Sequence, residues 1–288
     1  MLEPKQPQSI AQQIHILEMH GCIVANKTYA NEVLLNINYY RLSAYFLPFK
    51  KDDGSYIHGT TFEKVLRIYE FDRELRALLF HAIERIEVAL RARLSYFHGM
   101  KYGALGYLDA ANFNLRHNRY KFEANLQREI ASNRNVPFVK HHQEKYSGQF
   151  PIWVISELFT FGMLSYFYSD LHTQDKKIIA RQYGTNYKNL GSWLRCCTDM
   201  RNICAHYGRV YYRVFSAAPA GFNLTDSIRH RTWAMILVIQ ALYPSREKWL
   251  TEFLPCLENL IKKYADDINL YHLAFPDDWN EKLRKTDS

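Results

Sequence analysis

The chain has 288 residues, of which 48% are hydrophobic and 23% charged, and its formal net charge is +8. This composition is typical of a folded protein with one or two cores and excludes a disordered tail. Glycine (12) and proline (9) are few beside tyrosine (21) and phenylalanine (17), which favours long helices packed by large side chains. The positive charge is compatible with a polyanionic partner, and it favours RNA or DNA over an acidic protein only if the cations cluster.

The cysteines and the N-terminal sequence indicate the cellular compartment of the protein. The five cysteines form no CxxC pair and no Cys/His spacing typical of zinc, so we predict reduced, buried thiols in the cytosol. The N-terminal MLEPKQPQSI has no apolar region, and no apolar run reaches the roughly 18 residues of a membrane span. We therefore expect a cytoplasmic protein without signal peptide, membrane span or membrane partner.

Helical periodicity dominates the first third of the chain. Ser9 is suited to cap a short helix, Pro48 ends a second helical stretch, and residues 56–65 are compatible with a brief strand. From residue 62 onward apolar residues step by three and four, as in Ile68, Phe71, Leu75, Leu78, Ala82, Ile86 and Ala89. That spacing predicts one amphipathic helix, about 50 Å long, that ends at Gly99.

Shorter helices are expected downstream. We interpret residues 116–135 as a strongly charged helix, 137–153 as an irregular connection and 151–171 as a buried helix interrupted around Gly162. Further helices are expected at 174–184, 192 to about 212, 230–244 and 245–264. The sequence thus predicts an all-α fold, with residues 1–60 as a small N-terminal helical lobe and residues 61–288 as one helical domain.

The stretch SWLRCCTDMRNICAHYGRVYYR, residues 192–213, holds a polar constellation of Arg201, Asn202 and His206. On an ideal helix Asn202 and His206 are an i,i+4 pair about 40° apart, whereas Arg201 lies about 140° around from His206. Arg201 and His206 therefore converge only through the length of arginine, a distortion near Gly208 or a second chain.

These residue types suit RNA cleavage without a metal ion. An imidazole can move a proton to or from a 2′-hydroxyl or a leaving 5′-oxygen, and a guanidinium can bind two non-bridging phosphate oxygens as charge develops. The spacing alone decides nothing, because Arg76/His81 and Arg93/His98 share it. The alternative is an exposed polar stripe that caps the core.

The longer string RNICAHYGRVYYR resembles the R-x4–6-H signature of HEPN-domain ribonucleases, in which asparagine commonly follows the arginine. The flanking sequences resemble one branch, the abortive-infection proteins of the AbiD/AbiF (Abi-like) type. The matching stretches are NYYRLSAYFLPF (38–49), IYEFDRELRALLFHAIERIEVALRARL (68–94), YGALGYLD (102–109), PIWVISELFTFGMLSYFY (151–168) and LGSWLRCCTDMRNICAHYGRVYYR (190–213).

This resemblance covers about residues 30–215 and implies a HEPN-like helical bundle that acts in bacterial defence against phage. It implies RNA as substrate or ligand, including a structured small non-coding RNA. By the same resemblance Arg201 and His206 take the catalytic positions and Asn202 the supporting one, without cofactor or metal. HEPN-type sites are usually composite, so a homodimer is implied as well.

Basic residues outside the catalytic positions are candidates for RNA contacts: Arg41, Arg116, Arg119, Lys121, Arg128, Arg209 and Arg213. For Arg41 a structural cation–π or ion-pair role is equally expected, and for the helix at 116–135 a solvated charged face. We interpret Glu84, Glu87 and Arg91 as an ion network between packed helices rather than as acid–base catalysts.

Three hypotheses remain open at this point. The first is an abortive-infection protein that cleaves RNA as a metal-independent endoribonuclease. The second is a non-catalytic RNA-binding protein that associates with a structured small RNA and senses infection, and the third is a helical interaction protein whose arginines are surface charges. Metal-free RNA cleavage that depends on His206 separates the first from the second, and salt-sensitive RNA binding separates the second from the third.

Overall fold

The computed structural model describes residues 6–285 and consists of helices joined by turns and loops, the longest of which spans residues 206–225. Over these residues there is no β-strand, and single bridges join Ile23 to Thr61 and Lys50 to Tyr56. The predicted all-α fold is therefore confirmed, whereas the brief strand expected at 56–65 is wrong.

The chain divides into two compact units. The first comprises the residues up to Leu75 together with Leu257–Asn269, and the second comprises Arg76–Cys256 together with the residues from Leu270 onward. The division that the sequence predicts, at residue 60, remains a prediction. The outermost residues of the two predicted domains, 1–5 and 286–288, lie outside the described part of the chain.

In the first unit, helix α1 (Ile10–Met19) begins with the predicted cap. The Ser9 hydroxyl accepts a hydrogen bond from the Gln12 backbone, and the Gln12 side chain accepts one from the Ser9 backbone, which satisfies two N–H groups at the helix start. Helices α2 (Lys27–Asn36) and α3 (Tyr39–Phe46) follow.

Helix α4 (Phe62–Tyr102) is longer than predicted, with 41 residues. It ends before Gly103, whose φ of 80° is a left-handed conformation that glycine adopts without strain. The predicted end at Gly99 is wrong. A Cβ atom there would lie 3.1 Å from the Ile152 side chain, so this glycine allows close packing inside the helix rather than ending it.

The remaining helices are α5 (Arg119–Ser132), α6 (Pro137–Lys145), α7 (Ile152–Ile155), α8 (Phe161–Asp170), α9 (Thr173–Arg181), α10 (Tyr187–Ala205), α11 (Asp226–Arg229), α12 (Thr232–Leu242), α13 (Arg246–Lys248), α14 (Leu254–Lys263) and α15 (Trp279–Arg284). A π-helical segment, Trp249–Phe253, leads into α14. Within the second unit, α10 packs against α8, α9 and α12. This packing places α10, which carries Arg201 and Asn202, among three other helices of that unit.

Two further boundaries differ from the prediction. Residues 137–153 are not an irregular connection throughout, because Pro137 starts α6 at a position where its missing N–H costs nothing. The break in the buried segment lies at Phe159 and Thr160 rather than at Gly162, since the Thr160 hydroxyl caps α8.

None of the five cysteines, all of which the structure describes, forms a disulfide. Four are buried as predicted, but Cys256 is exposed, so the prediction is wrong for that residue. Burial raises the pKa of Cys22 and of Cys196 to about 12 and holds that of Cys197 well above its ordinary value. None of the described helices is long and apolar enough to cross a membrane.

His98 is a fully buried titratable side chain of the second unit. Its ring centre lies 4.9 Å from that of Tyr102, 5.6 Å from Phe113 and 5.1 Å from Phe167. Neither ring nitrogen has a hydrogen-bond partner. Burial lowers the pKa of His98 from 6.5 to about 4, against the opposing attraction of the Asp175 carboxylate.

We expect the free energy of unfolding to fall as the pH drops from 6.5 to about 4. Over this range His98 becomes protonated in the unfolded protein, whereas it stays neutral in the folded protein. Between pH 7 and pH 5 this residue should account for a loss of about 2 kcal/mol. His98→Phe keeps an aromatic ring and removes the titration. Urea unfolding at both pH values should show a flatter pH dependence for the variant, and an equally steep loss would contradict the assignment.

Candidate functional site

Helix α10 carries the RNICAH sequence and is amphipathic. The Asn186 side chain caps its start by accepting hydrogen bonds from two backbone N–H groups. One face is buried and comprises Leu190, Trp193, Leu194, Cys196, Cys197, Met200 and Cys204. Arg195, Asn202 and His206 are exposed and Asp199 is half-buried, so a polar stripe follows the helix to its C-terminal end.

Helix α10 ends immediately before His206, so the predicted continuation to about residue 212 is wrong. Tyr207 adopts a left-handed conformation with φ of 57°, and the Gly208 N–H donates to the Ile203 carbonyl at 2.7 Å, as in a Schellman cap. A non-glycine residue in this conformation costs about 1 kcal/mol. A Cβ on Gly208 would lie 3.3 Å from the Ile203 carbonyl oxygen, which explains the glycine.

The helix end therefore presents His206 as its capping residue. Over the described residues, neither the His206 ring nor the Asn202 amide makes a side-chain hydrogen bond. Arg209 and Arg213, which follow His206 at helical spacing in the sequence, lie beyond the end of the helix and do not continue its polar stripe. The Arg213 Nη1 donates to the Arg209 carbonyl at 3.3 Å, and the Arg209 guanidinium lies 5.8 Å from the Tyr212 ring centre.

Arg201 points its side chain at α4. Its guanidinium carbon lies 5.8 Å from the ring centre of Phe80, and its Nε lies 4.0 Å from Oε2 of Glu87. The Nε–H is buried without a hydrogen-bond partner, so this contact is an ion pair without a hydrogen bond. The side chain nevertheless keeps 33% of its surface exposed, which leaves room for a ligand.

Glu87 is shared between two arginines. Arg91 donates to Oε1 of Glu87 at 3.0 Å and to the Phe159 carbonyl at 3.0 Å, while its Nη1 lies 3.6 Å from Glu157. Burial raises the pKa of Glu87, and the charges of Arg91 and Arg201 partly offset that effect. The interhelical ion network predicted for Glu87 and Arg91 is thus confirmed.

The predicted third member of that network, Glu84, lies elsewhere. Its carboxylate is 3.6 Å from Nδ1 of the exposed His81. The two competing Arg/His pairs lie inside α4, where Arg76 and His98 are buried. Of the three pairs with this spacing, Arg201/His206 is therefore the one whose histidine lies at a helix end.

The family to which the chain belongs follows from a match to a known family model. The family model described as Abi-like protein matches residues 32–212. The chain belongs to the Abi-like family. This membership associates the protein with abortive infection, a form of defence against phage. No curated protein and no solved structure matches the chain significantly.

The predicted RNA-binding residues of this Abi-like protein are spread over several elements. Those on or just before α5 are all exposed and comprise Arg116, Arg119, Lys121 and Arg128. Arg119 pairs with Glu123 at 2.7 Å, and the Lys121 ammonium lies 5.8 Å from the ring centre of Tyr166 on α8. Arg41 is exposed on α3, in the first unit.

Three further cations of this Abi-like protein escaped the sequence analysis. Lys176, Lys188 and Arg195 line a groove of about 570 Å³ beside α8 and α10, with Asp199 as the one carboxylate among its lining residues. Burial lowers the pKa of Lys176. Arg195 could have been found by extending the polar stripe of α10 one step towards its N-terminus. Lys188 lies on the same helix, seven residues before Arg195, whereas Lys176 lies on α9 and reaches the groove only through the fold.

Within the described residues, no group of three histidine, cysteine, aspartate or glutamate side chains is placed to hold a metal ion. The polar side chains at the end of α10 are thus an imidazole, an amide and a guanidinium. These groups can transfer protons, donate hydrogen bonds and neutralise a phosphate.

Proposed function

We propose that this Abi-like protein binds RNA and cleaves it during phage defence, by a metal-independent HEPN mechanism in a homodimer. The observation that carries the proposal is the end of α10. It combines an exposed His206 ring, which makes no side-chain hydrogen bond, with an Arg201 held against Phe80 and Glu87. Proton transfer needs an accessible imidazole, and charge stabilisation needs a guanidinium whose position is fixed beforehand.

In the proposed reaction the 2′-hydroxyl oxygen attacks the adjacent phosphorus, and the bond from phosphorus to the 5′-oxygen breaks. A base removes the proton of the 2′-hydroxyl and an acid protonates the leaving 5′-oxygen, which yields a 2′,3′-cyclic phosphate and a 5′-hydroxyl. His206 performs one of these transfers. Arg201 neutralises the non-bridging oxygens, and Asn202, one turn before His206, orients the ring or contacts the phosphate.

Cations near α10 support RNA as the substrate. Tyr166 lines the groove that holds Lys176 and Arg195, and it also lies against Lys121 of α5. Basic groups from α5, α9 and α10 thus adjoin one another. Such a track suits a phosphate backbone, and the exposed ring of Tyr166 suits base stacking.

Two features support a second copy of the chain at this site. Tyr207 and Val214 expose 68% and 65% of their surface close to His206 in the chain, and apolar surface of this kind suits an interface. The C-terminal end of a helix also carries partial negative charge, which disfavours an approaching phosphate. Cations from both copies would offset that repulsion.

Mixing two inactive variants tests the composite site. If each site combines Arg201 of one copy with His206 of the other, an Arg201→Ala/His206→Ala heterodimer retains one complete site. Cleavage should therefore reappear when the two purified variants are mixed and allowed to exchange subunits. Each heterodimer has one complete site where the wild-type dimer has two, so its activity should reach at most about half of the activity of a wild-type dimer. Each variant alone is the control. A mixture that exchanges subunits but stays inactive would contradict the shared site.

A second candidate function is RNA binding without cleavage. It is favoured by Glu87, whose carboxylate lies 4.0 Å from the Arg201 Nε and competes with a phosphate for the guanidinium. Wild-type protein that binds RNA in a salt-dependent way, yet leaves it intact, would support this alternative.

A further inference from the structure

A pocket of about 730 Å³ lies in the second unit, beyond the residues that the family model matches. Its walls come from two stretches of chain, 222–240 around α12 and 271–285 around α15. The volume falls in the range of pockets that hold small organic ligands, roughly 300–1,000 Å³. Neither Arg201 nor His206 lines it.

Aromatic rings form part of the pocket wall. Phe222 is stacked on Trp193 with ring centres 5.1 Å apart, and Phe275 packs on Trp233 at 5.1 Å, so both phenylalanines are held by neighbouring rings. Tyr271 lies edge-on to His272, with ring centres 6.1 Å apart, and exposes 77% of its surface. An exposed aromatic ring beside other aromatic rings offers a surface on which a planar aromatic ligand can stack.

The charged side chains among the described lining residues of the pocket are all basic. Arg231, Lys282 and Lys285 line it, and none of its described lining residues is aspartate or glutamate. Lys282 pairs with Asp278 at 2.8 Å and Lys285 with Glu281 at 3.6 Å, both as exposed i,i+4 pairs. Such pairs are weak, so an incoming phosphate can replace them.

Arg231 differs from the two lysines because its guanidinium is fixed. Its Nη2 donates to the His272 carbonyl at 2.6 Å, which ties the α12 side of the pocket to the 270–273 turn. Gln240 and Asn223 add amide groups to the lining. Because the Gln240 Nε2 donates to the Leu283 carbonyl at 2.9 Å, its amide oxygen is the atom that can accept from the edge of a planar heterocycle, whereas the Asn223 amide can donate and accept.

We propose that this pocket binds a nucleotide, with its base stacked on Tyr271 and its phosphate held by Lys282, Lys285 and Arg231. A free nucleotide and a nucleotide within a single-stranded RNA present the same base and phosphate. The site does not depend on the proposed cleavage, because it uses none of the residues at the end of α10.

Calorimetric titration of the full chain with adenosine 5′-monophosphate and with adenosine tests this site. The monophosphate should bind at least about tenfold more tightly than the nucleoside, because only the former engages the cations. Tyr271→Ala should weaken both ligands about tenfold or more through the lost stacking. Lys282→Gln combined with Lys285→Gln should remove most of the preference for the monophosphate and leave adenosine unaffected.

Matched variants provide the controls. Tyr96→Ala removes a ring of similar exposure, 71%, outside the pocket, and Lys27→Gln removes an exposed, ion-paired lysine of the first unit. Both should bind as the parent does. His206→Ala should also retain nucleotide affinity, which separates this site from the cleavage site.

A 2′-O-methylated oligoadenylate distinguishes the two sources of the nucleotide. Competition with the monophosphate assigns the pocket to a nucleotide of RNA, whereas monophosphate binding that the oligomer cannot displace assigns it to a free nucleotide. If neither adenosine ligand nor the oligomer binds, or if Tyr271→Ala binds as tightly as the parent, the proposal is overturned.

Discussion

His206→Ala should abolish RNA cleavage, and with it toxicity in cells, while the protein stays folded. The substitution removes the proton-transfer group of the proposed reaction, which contributes at least a 10²-fold rate factor. It removes little packing, because the ring is exposed and makes no side-chain hydrogen bond in the described structure. Cleavage of total RNA, followed by end analysis, and a thermal unfolding midpoint measure the two effects.

Substitutions of the other two motif residues, Arg201 and Asn202, should reduce RNA cleavage to different extents. Arg201→Ala should lose cleavage through lost phosphate stabilisation, and Arg201→Lys should recover little, because an ammonium cannot bind two oxygens at once. Asn202→Ala should be milder. The wild-type products should carry 2′,3′-cyclic phosphate and 5′-hydroxyl ends, should form equally well in EDTA, and should not form when the attacking 2′-hydroxyl is methylated.

His81→Ala is the matched control for this series. His81 is exposed and follows an arginine at the same spacing, yet it lies within α4. This variant should cleave RNA as the parent does. Cleavage of RNA by the His206→Ala variant, or inhibition of the parent protein by EDTA, would show that the mechanism is wrong.

Glu87→Ala should lower the free energy of unfolding by about 3 kcal/mol. The substitution leaves the buried guanidinium of Arg91 with the Phe159 carbonyl and with Glu157 at 3.6 Å, and it removes the carboxylate that faces Arg201. Chemical denaturation at neutral pH measures the loss. Cleavage should fall as well, because Arg201 keeps only the Phe80 ring beneath its guanidinium.

Two variants isolate the cause of this effect. Glu87→Gln should cost less than about 1 kcal/mol, since its amide oxygen can still accept from Arg91 and since burial already disfavours the carboxylate, as the raised pKa of Glu87 indicates. Glu84→Ala, at an exposed position of the same helix, should change stability by less than about 0.5 kcal/mol. Equal losses for Glu87→Ala and Glu84→Ala would refute the network's structural role.

Periodicity and capping residues were enough to predict most helices. The three-four stepping from residue 62 identified α4, and Ser9 identified the start of α1, because both signals act within a few neighbouring residues. The end of α10 was missed for a local reason. Asp199, Asn202, His206, Arg209 and Arg213 continue a helical spacing, and tyrosine rather than glycine adopts the left-handed position that ends the helix.

The surroundings of the motif depend on tertiary packing. The sequence predicted that Glu87 and Arg91 form ion pairs between helices, but not that Arg201 joins them from α10, because more than 100 residues separate the partners. The nucleotide pocket was missed for the same reason, since Tyr271 and Lys282 meet Trp233 only in the folded chain.

The cysteines on the buried face of α10 make the local opening of this helix measurable without a label. A thiol reagent attacks accessible thiolates, so Cys256 reacts from the folded state, whereas Cys196, Cys197 and Cys204 react only after α10 separates from its neighbours. Because Cys22 is buried as well, the slow phase of such a reaction reports how often α10 opens once Cys22 is replaced by alanine. RNA bound at the end of α10 should lengthen that phase, which turns three native thiols into a reporter of occupancy.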